Sequence, residues 1–147
     1  MKIFIDEIDP RDLKPLGCTN MIGYPAHFRC AMFHGWARFV PADENVQTYL
    51  DNEIDVEIAH ESIGCLRTGV DRQHQIVPLA EAFSYHVRGE VKTISHHSEP
   101  MGNRTTYVVA GDAAFALSLA DLGNLRPSEG DAVEFDVHGL SLWDESI

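Results

Sequence analysis

Regular alternation of apolar and polar side chains is the feature that most constrains how this sequence can fold. In residues 53–60, and again in residues 83–92, nearly every second side chain is apolar and those between are charged or polar. A period of two places the apolar side chains on one face of a β-strand and the charged ones on the other. The sequence therefore predicts strands with one buried and one solvated face, as in antiparallel sheets.

The rest of the first half predicts further strands and little helix. Residues 2–5 are predicted as a short edge strand, followed by an irregular segment to residue 26. Residues 27–40 are rich in aromatic side chains and are predicted as one strand, in which Gly35 marks a bulge or a close approach to the backbone. Residues 61–78 are predicted as a loop with at most one short strand.

The second half predicts a hairpin and a final strand. Residues 104–110 and 113–120 flank Gly111-Asp112, which is typical of a tight β-turn, although the alanines of residues 113–120 also allow a helix. Residues 98–103 are predicted as a turn. The last strand begins at Ala132, and the inward-facing phase slips by one residue after Gly139, which predicts a β-bulge.

Two segments resemble part of an OB-type barrel. They are Val87-x-Gly89-x-Val91 in a long strand and Glu129-Gly130-Asp131-x-Val133-x-Phe135 before the last strand. We therefore predict a mainly β fold, a single antiparallel, strongly bent sheet closing into a small OB-like barrel with short helical turns. Residues 1–147 would form one domain, with residues 1–26 irregular and residues 83–143 as the clearest barrel strands. The resemblance implies oligonucleotide binding only as an alternative, because a fold does not determine a function.

The charge of the chain limits its partners. There are 23 Asp and Glu against 11 Lys and Arg, a formal net charge of −12 with histidine neutral. Phosphate contacts need clustered cations, so this composition argues against nucleic acids and anionic membranes. No apolar run approaches the roughly 18–20 residues that a membrane-spanning helix needs. The acidity favours a cationic partner.

One acidic segment is the candidate surface for such a partner. Like charges this close repel one another, and a basic protein would relieve the repulsion. A solvated strand edge, kept from pairing with other chains, is the alternative interpretation. Trp36 would add an aromatic contact if it is exposed, whereas burial in the core is the alternative for both Trp36 and Trp143. The predicted partner-binding residues are Asp51, Glu53, Asp55, Glu57, Glu61 and Trp36.

Cysteines and histidines provide weaker candidates. Cys18, Cys30 and Cys65 are odd in number and form no C-x-x-C pair, which predicts reduced thiols and a cytoplasmic protein. His27, Cys30 and His34 would share a face of a helix, but on the predicted strand His27 points away from the other two. We therefore predict no metal and no cofactor, with these three residues as the alternative metal ligands. The adjacent His96 and His97 are predicted as a surface loop pair.

No catalytic motif is present in the sequence. There is no G-x-S-x-G, no glycine-rich phosphate loop ahead of a lysine and no H-E-x-x-H. The carboxylate pair Glu134 and Asp136 is predicted to lie on a solvated strand face. The sequence thus favours a non-catalytic acidic protein that covers a basic partner, in the manner of toxin-neutralising immunity proteins. The alternatives are a His/Cys metal domain, or an OB-like barrel that binds an oligonucleotide or small ligand along Arg88, Lys92 and Arg104.

Overall fold

The computed structural model describes residues 1–17, 19–96 and 104–147, and these form twelve strands with little helix. The predicted turn at residues 98–103, His97 and Cys18 lie outside the described residues, as does the side chain of His96. A 3-10 turn covers Val46–Tyr49 and the short helix α1 covers Leu119–Leu122. The strands are β1 (Lys2–Ile8), β2 (Lys14–Pro15), β3 (Ile22–Arg29), β4 (His34–Val40), β5 (Glu53–Ala59), β6 (Ser62–Thr68), β7 (Gln75–Pro78), β8 (Tyr85–His96), β9 (Arg104–Ala110), β10 (Ala113–Leu117), β11 (Ala132–His138) and β12 (Ser141–Asp144).

Five strands of the first sheet close into a barrel, which confirms a mainly β barrel fold. The pairing order around the ring is β1-β3-β4-β12-β5 and back to β1, and β2 is attached outside β3. Four of these pairs are antiparallel, whereas β12 runs parallel to β4. A closed ring with an odd number of strands cannot alternate in direction throughout, so one parallel pair is required. The prediction of a purely antiparallel sheet was wrong for this reason.

A second sheet lies beside the barrel, so the prediction of a single sheet was also wrong. Its order is β10-β9-β8-β11-β6, with β7 paired to β8. Most of residues 83–143 belong here, and of the strands in that range only β12 is part of the ring. The chain passes from the barrel to the second sheet between β5 and β6, and returns between β11 and β12. The change in the side-chain pattern at Gly139 arises because the chain leaves β11 for β12 there, and not because of a bulge within one strand.

The core of the molecule joins the two sheets. In the β3–β4 hairpin, the rings of Phe28 and Phe33 pack with centroids 5.2 Å apart. Phe33 in turn packs against Tyr85 of the second sheet, with centroids 5.5 Å apart. Phe115 and Phe135 of the second sheet pack edge to face at 5.7 Å. All five side chains are buried, and stacking of this kind adds to the free energy gained by burying their surface.

The two segments with strict alternation are confirmed as strands. Residues 53–60 contain β5, whose three acidic side chains are exposed while Val56 is buried. Residues 83–92 contain the first part of β8, which begins at Tyr85, so the predicted first two residues belong instead to the preceding turn. The predicted hairpin at Gly111 is also confirmed, because β9 and β10 pair in register across Gly111-Asp112. Gly111 alone of the two has a positive φ of 61°, as a type II′ turn requires.

Other predicted boundaries were wrong. Residues 2–5 lie in β1, which extends to Ile8 and pairs on both sides, so it is no edge strand. Residues 27–40 contain the turn between β3 and β4, and residues 61–78 contain two strands rather than a loop. The predicted strand at residues 113–120 ends at Leu117, because Ser118 caps α1 with a capping box to Asp121.

Candidate functional site

The acidic outer face of β5 is exposed, as predicted, but it already has a cationic neighbour. Lys2 of β1 lies 3.2 Å from Asp55 and 3.5 Å from Glu53, measured from Nζ to the carboxylate oxygens. The hydrogen bond to Asp55 and the two negative charges raise the pKa of Lys2. An exposed pair of this kind contributes little to stability, but it reduces the repulsion that motivated a partner here.

The predicted partner-binding residues do not line one common cavity. Trp36 lines a groove between the barrel and the second sheet, Glu57 lines a cavity with the exposed Tyr107, and Glu61 lines a third beside His138. Whether these residues bind a partner stays a prediction.

A groove of about 880 Å³ separates the barrel from the segment Pro78–Tyr85. Its barrel side is formed by residues of β1, β3 and β4, and its other side by the turn that leads into β8. Phe83 of this turn has a positive φ of 59°, which is unusual for a bulky residue. The apolar lining consists of Ile8, Pro10, Pro25, Gly35, Trp36, Pro78, Leu79, Ala80, Ala82 and Phe83. A concave surface of this size and character suits a ligand or an anchoring side chain.

Trp36 is held at this groove by a contact across the two sheets. The buried hydroxyl of Tyr85 donates a hydrogen bond of 2.7 Å to the main-chain carbonyl of Trp36. Gly35 makes this contact possible, because a Cβ at that position would lie 2.2 Å from the Tyr85 hydroxyl oxygen. The predicted close approach at Gly35 is thus confirmed. Trp36 itself is 39% exposed, so its indole is a surface feature rather than part of the core.

Three neighbouring strands present an acid, an imidazole and an indole in a row beside the groove. Glu7 of β1 is in register with His27 of β3, and His27 is in register with Trp36 of β4. The rings of His27 and Trp36 pack edge to face, with centroids 5.5 Å apart. A register shift between Ile5 and Glu7 marks a bulge at this point of β1, and both Asp6 and Glu7 are exposed there. All three side chains of the row line the groove.

The groove lining is acidic. It includes the carboxylates of Glu7, Asp9, Asp12 and Glu81 and the guanidinium of Arg11, while Arg38 lies 3.6 Å from Asp12. The main-chain N–H of Arg11 donates to Asp9 at 3.0 Å and outweighs the opposing effect of desolvation, so the pKa of Asp9 is lowered. Glu7 has no ion-pair partner within the described ranges.

The turn between β3 and β4 changes the geometry of the candidate metal ligands. His27 and His34 lie on neighbouring strands of one hairpin with ring centroids 5.9 Å apart, so they share a face, contrary to the prediction. Cys30 lies in the turn, and its thiol donates to the carbonyl of Phe33 at 3.3 Å. Asp6 lies 3.4 Å from His27 Nδ1. In the part of the chain that the structure describes, no three His, Cys, Asp or Glu side chains are grouped to hold a metal ion.

The carboxylate of Glu134 was predicted to be solvated and is instead buried. Its side chain is only 7% exposed and contacts Arg67 of β6. Arg88 Nε lies 3.5 Å from it and His86 Nε2 lies 3.4 Å from it, both on β8. Asp136 accepts from the other nitrogen of His86 at 2.7 Å. Cations on both neighbouring strands explain how a carboxylate can be buried on this face.

Contacts within the chain also engage two of the three cations that were predicted to bind an oligonucleotide, Arg88 and Arg104. Arg88 is paired with Glu134, and Arg104 donates to the carbonyl of Pro127 at 3.2 Å. Lys92 is exposed, at a register shift between β8 and β9. Three cations on one face were predicted, but two of them are engaged within the chain.

A contact between His60, just before β6, and Asp121 connects α1 to the second sheet. His60 Nε2 lies 3.0 Å from Asp121, which also accepts from the main-chain N–H of Ser118. Burial alone would raise the pKa of Asp121, but these hydrogen bonds outweigh it and the pKa is lowered. We regard this contact as structural, because Asp121 belongs to the capping box of α1, in which Ser118 and Asp121 each accept a hydrogen bond from the other's main-chain N–H.

Sequence reasoning identified Trp36 and missed the residues around it. Glu7, Asp9 and Asp12 belong to the segment that was predicted as irregular, and Glu81 lies between the predicted loop at residues 61–78 and the predicted strand at residues 83–92. Asp-Pro at residues 9–10 was a usable signal, because it marks a turn that carries an acid beside an apolar segment. Their proximity to Trp36 depends on long-range strand pairing, which has no local signal.

No helix in the described ranges is long and apolar enough to cross a bilayer. Comparison of the chain with protein-family models finds no match. Comparison with curated proteins and with solved structures likewise finds no match, so the functional argument rests on the groove itself.

Proposed function

We propose that this chain is a non-catalytic acidic binding protein that covers a basic surface of another protein, as toxin-neutralising immunity proteins do. The observation that carries the proposal is the groove at Trp36. There a 39% exposed indole lies in a lining that includes four carboxylates and the guanidinium of Arg11. Exposed tryptophans at concave sites are typical anchors of protein interfaces.

Charge and shape support the proposal in different ways. A net charge of −12 accelerates the encounter with a basic partner and makes the association sensitive to salt. The apolar lining would supply the part of the binding energy that salt does not screen. The groove, rather than the outer face of β5, is the proposed contact because it combines the exposed indole of Trp36 with a carboxylate, Glu7, that has no ion-pair partner within the described residues.

Capture experiments with two charge-matched variants test this function. The groove variant is Glu7→Gln with Glu81→Gln, and the control is Glu53→Gln with Glu57→Gln on β5. Each variant removes two exposed carboxylates. We expect wild type and control to capture a basic protein at low salt and to release most of it at about 0.5 M salt, and the groove variant to capture less. Capture unaffected by salt, or lost equally in both variants, would contradict the proposal.

We also propose that the barrel is OB-like. The support is the ring order, with its single parallel pair between the third barrel strand and the last one. OB-like barrels often bind oligonucleotides, which is the second candidate function. The pairing of Arg88 and Arg104 within the chain disfavours it. Fluorescence anisotropy with short single strands at low salt separates the two functions, since only the second predicts binding.

A cytoplasmic location is part of the same proposal. Cys30 and Cys65 are both free thiols, as expected in a reducing compartment.

A further inference from the structure

Two arginines of this chain already lie over aromatic rings. The guanidinium carbon of Arg29 lies 4.5 Å from the centre of the Phe4 ring, and that of Arg38 lies 5.1 Å from the centre of the Phe83 ring. Phe83 lines the groove, whereas Phe4 lies on β1 outside its lining. Among the described residues no lysine or arginine lies over Trp36, although an indole attracts cations more strongly than a phenyl ring does.

Glu7, His27 and Trp36 form a row along one side of the groove. Register places the three residues on adjacent strands, and adjacent strands are about 4.8 Å apart, so Glu7 and Trp36 are separated by roughly 10 Å. An arginine that enters above His27, with its guanidinium stacked beside the indole, would direct its N–H groups toward the carboxylate of Glu7. Within the described chain Glu7 has no ion-pair partner, whereas Asp9 already binds Arg11.

We infer that the groove seats an arginine of the basic partner, stacked on the exposed part of Trp36 and paired with Glu7. This inference rests on the proposed function and specifies its anchor. Arginine fits better than lysine because its guanidinium is flat, stacks on aromatic faces and binds a carboxylate through two parallel hydrogen bonds. An ammonium group would gain the charge attraction but neither the stacking nor the forked geometry.

Two peptides of equal charge test the choice of cation. Nona-arginine and nona-lysine are titrated into the full chain by isothermal calorimetry at low salt. We expect nona-arginine to bind about 2- to 5-fold more tightly, the ratio that corresponds to an exposed cation–π contact. Both affinities should fall as salt is added, because the carboxylates attract either peptide.

Two variants locate the preference. Trp36→Leu should weaken the preference for nona-arginine by the part that stacking supplies, while Trp36→Phe should retain more of it. The control, Glu53→Gln with Glu57→Gln, should leave the preference unchanged. Circular dichroism confirms that each variant is folded. In a Trp143→Phe background, emission from Trp36 alone should also change on adding nona-arginine.

The outcomes separate this inference from the function on which it rests. Equal affinity for the two peptides in wild type, or a preference of the same size in Trp36→Leu as in wild type, would overturn the arginine seat and leave the proposed binding function in place. Failure of both peptides to bind at low salt would contradict both the arginine seat and the proposed function.

Discussion

Replacing Gly35 by alanine should strongly destabilise the contact that holds Trp36 at the groove. The new Cβ would lie 2.2 Å from the Tyr85 hydroxyl oxygen, so the ring would have to move by roughly 1 Å. Tyr85 is 2% exposed and packs against Phe28 and Phe33, which leaves it little room. The movement would lengthen the 2.7 Å hydrogen bond to the Trp36 carbonyl.

The magnitude follows from two contributions. Overpacking a well-filled core costs about 1–3 kcal/mol. Leaving a buried carbonyl without its donor costs about 1–3 kcal/mol. We therefore expect Gly35→Ala to lower the free energy of unfolding by about 3 kcal/mol, and Tyr85→Phe alone by about 1–2 kcal/mol. In the Tyr85→Phe background the closest ring atoms lie 3.0 and 3.1 Å from the new Cβ, so the glycine substitution should cost only about 1 kcal/mol more.

Urea unfolding followed by circular dichroism measures all four members of this double-mutant cycle. With a slope of about 1–3 kcal/mol per molar, a loss of about 3 kcal/mol shifts the midpoint by at least about 1 M. The reasoning requires the two substitutions to be non-additive, because they act on the same atoms. If Gly35→Ala costs the same with and without the Tyr85 hydroxyl, the proposed steric conflict is refuted.

Three further predictions concern other parts of the fold. Glu134→Ala should lower the free energy of unfolding by about 1–3 kcal/mol in thermal denaturation, because its two arginine partners lose a buried carboxylate; an unchanged melting temperature would argue against this role. The lowered pKa of Asp121 stabilises the fold above the ordinary aspartate value and is lost as pH falls through the folded value, so wild type and Asp121→Asn should differ more in stability at pH 6 than at pH 3; a difference independent of pH would contradict this. In a Cys18→Ser background, the exposed Cys65 should react with a thiol reagent faster than Cys30, whose thiol is hydrogen-bonded; the reverse order, followed by mass spectrometry, would show the assignment to be wrong.

The sequence predicted the parts of the fold that local patterns determine. Alternation placed β5 and β8 correctly, and Gly111-Asp112 placed a hairpin, because each signal lies within a few neighbouring residues. The turn in residues 27–40 was missed because Cys30-Ala-Met-Phe33 contains no glycine, proline, asparagine or aspartate, the residues that usually mark turns.

Strand partners and buried charges had no such signal. The parallel pairing of β12 with β4 joins residues about 100 positions apart. The burial of Glu134 depends on arginines of two other strands, whereas its own segment alternates as a half-solvated strand would. The groove was missed for the same reason, since Glu7, Trp36 and Glu81 are brought together only by tertiary structure.

Closure of the barrel by β12 has a consequence for biosynthesis. Residues of β1, β3, β4 and β5 leave the ribosome first, but the strand that pairs with Ala59 is translated about 80 residues later. Until then the nascent chain carries two unpaired strand edges, at β4 and β5, and the whole segment between β5 and β12 must be synthesised before the ring can close. Such late, long-range pairing slows folding and exposes strand edges to neighbouring chains, so closure of the ring is the step at which we expect aggregation to compete with folding.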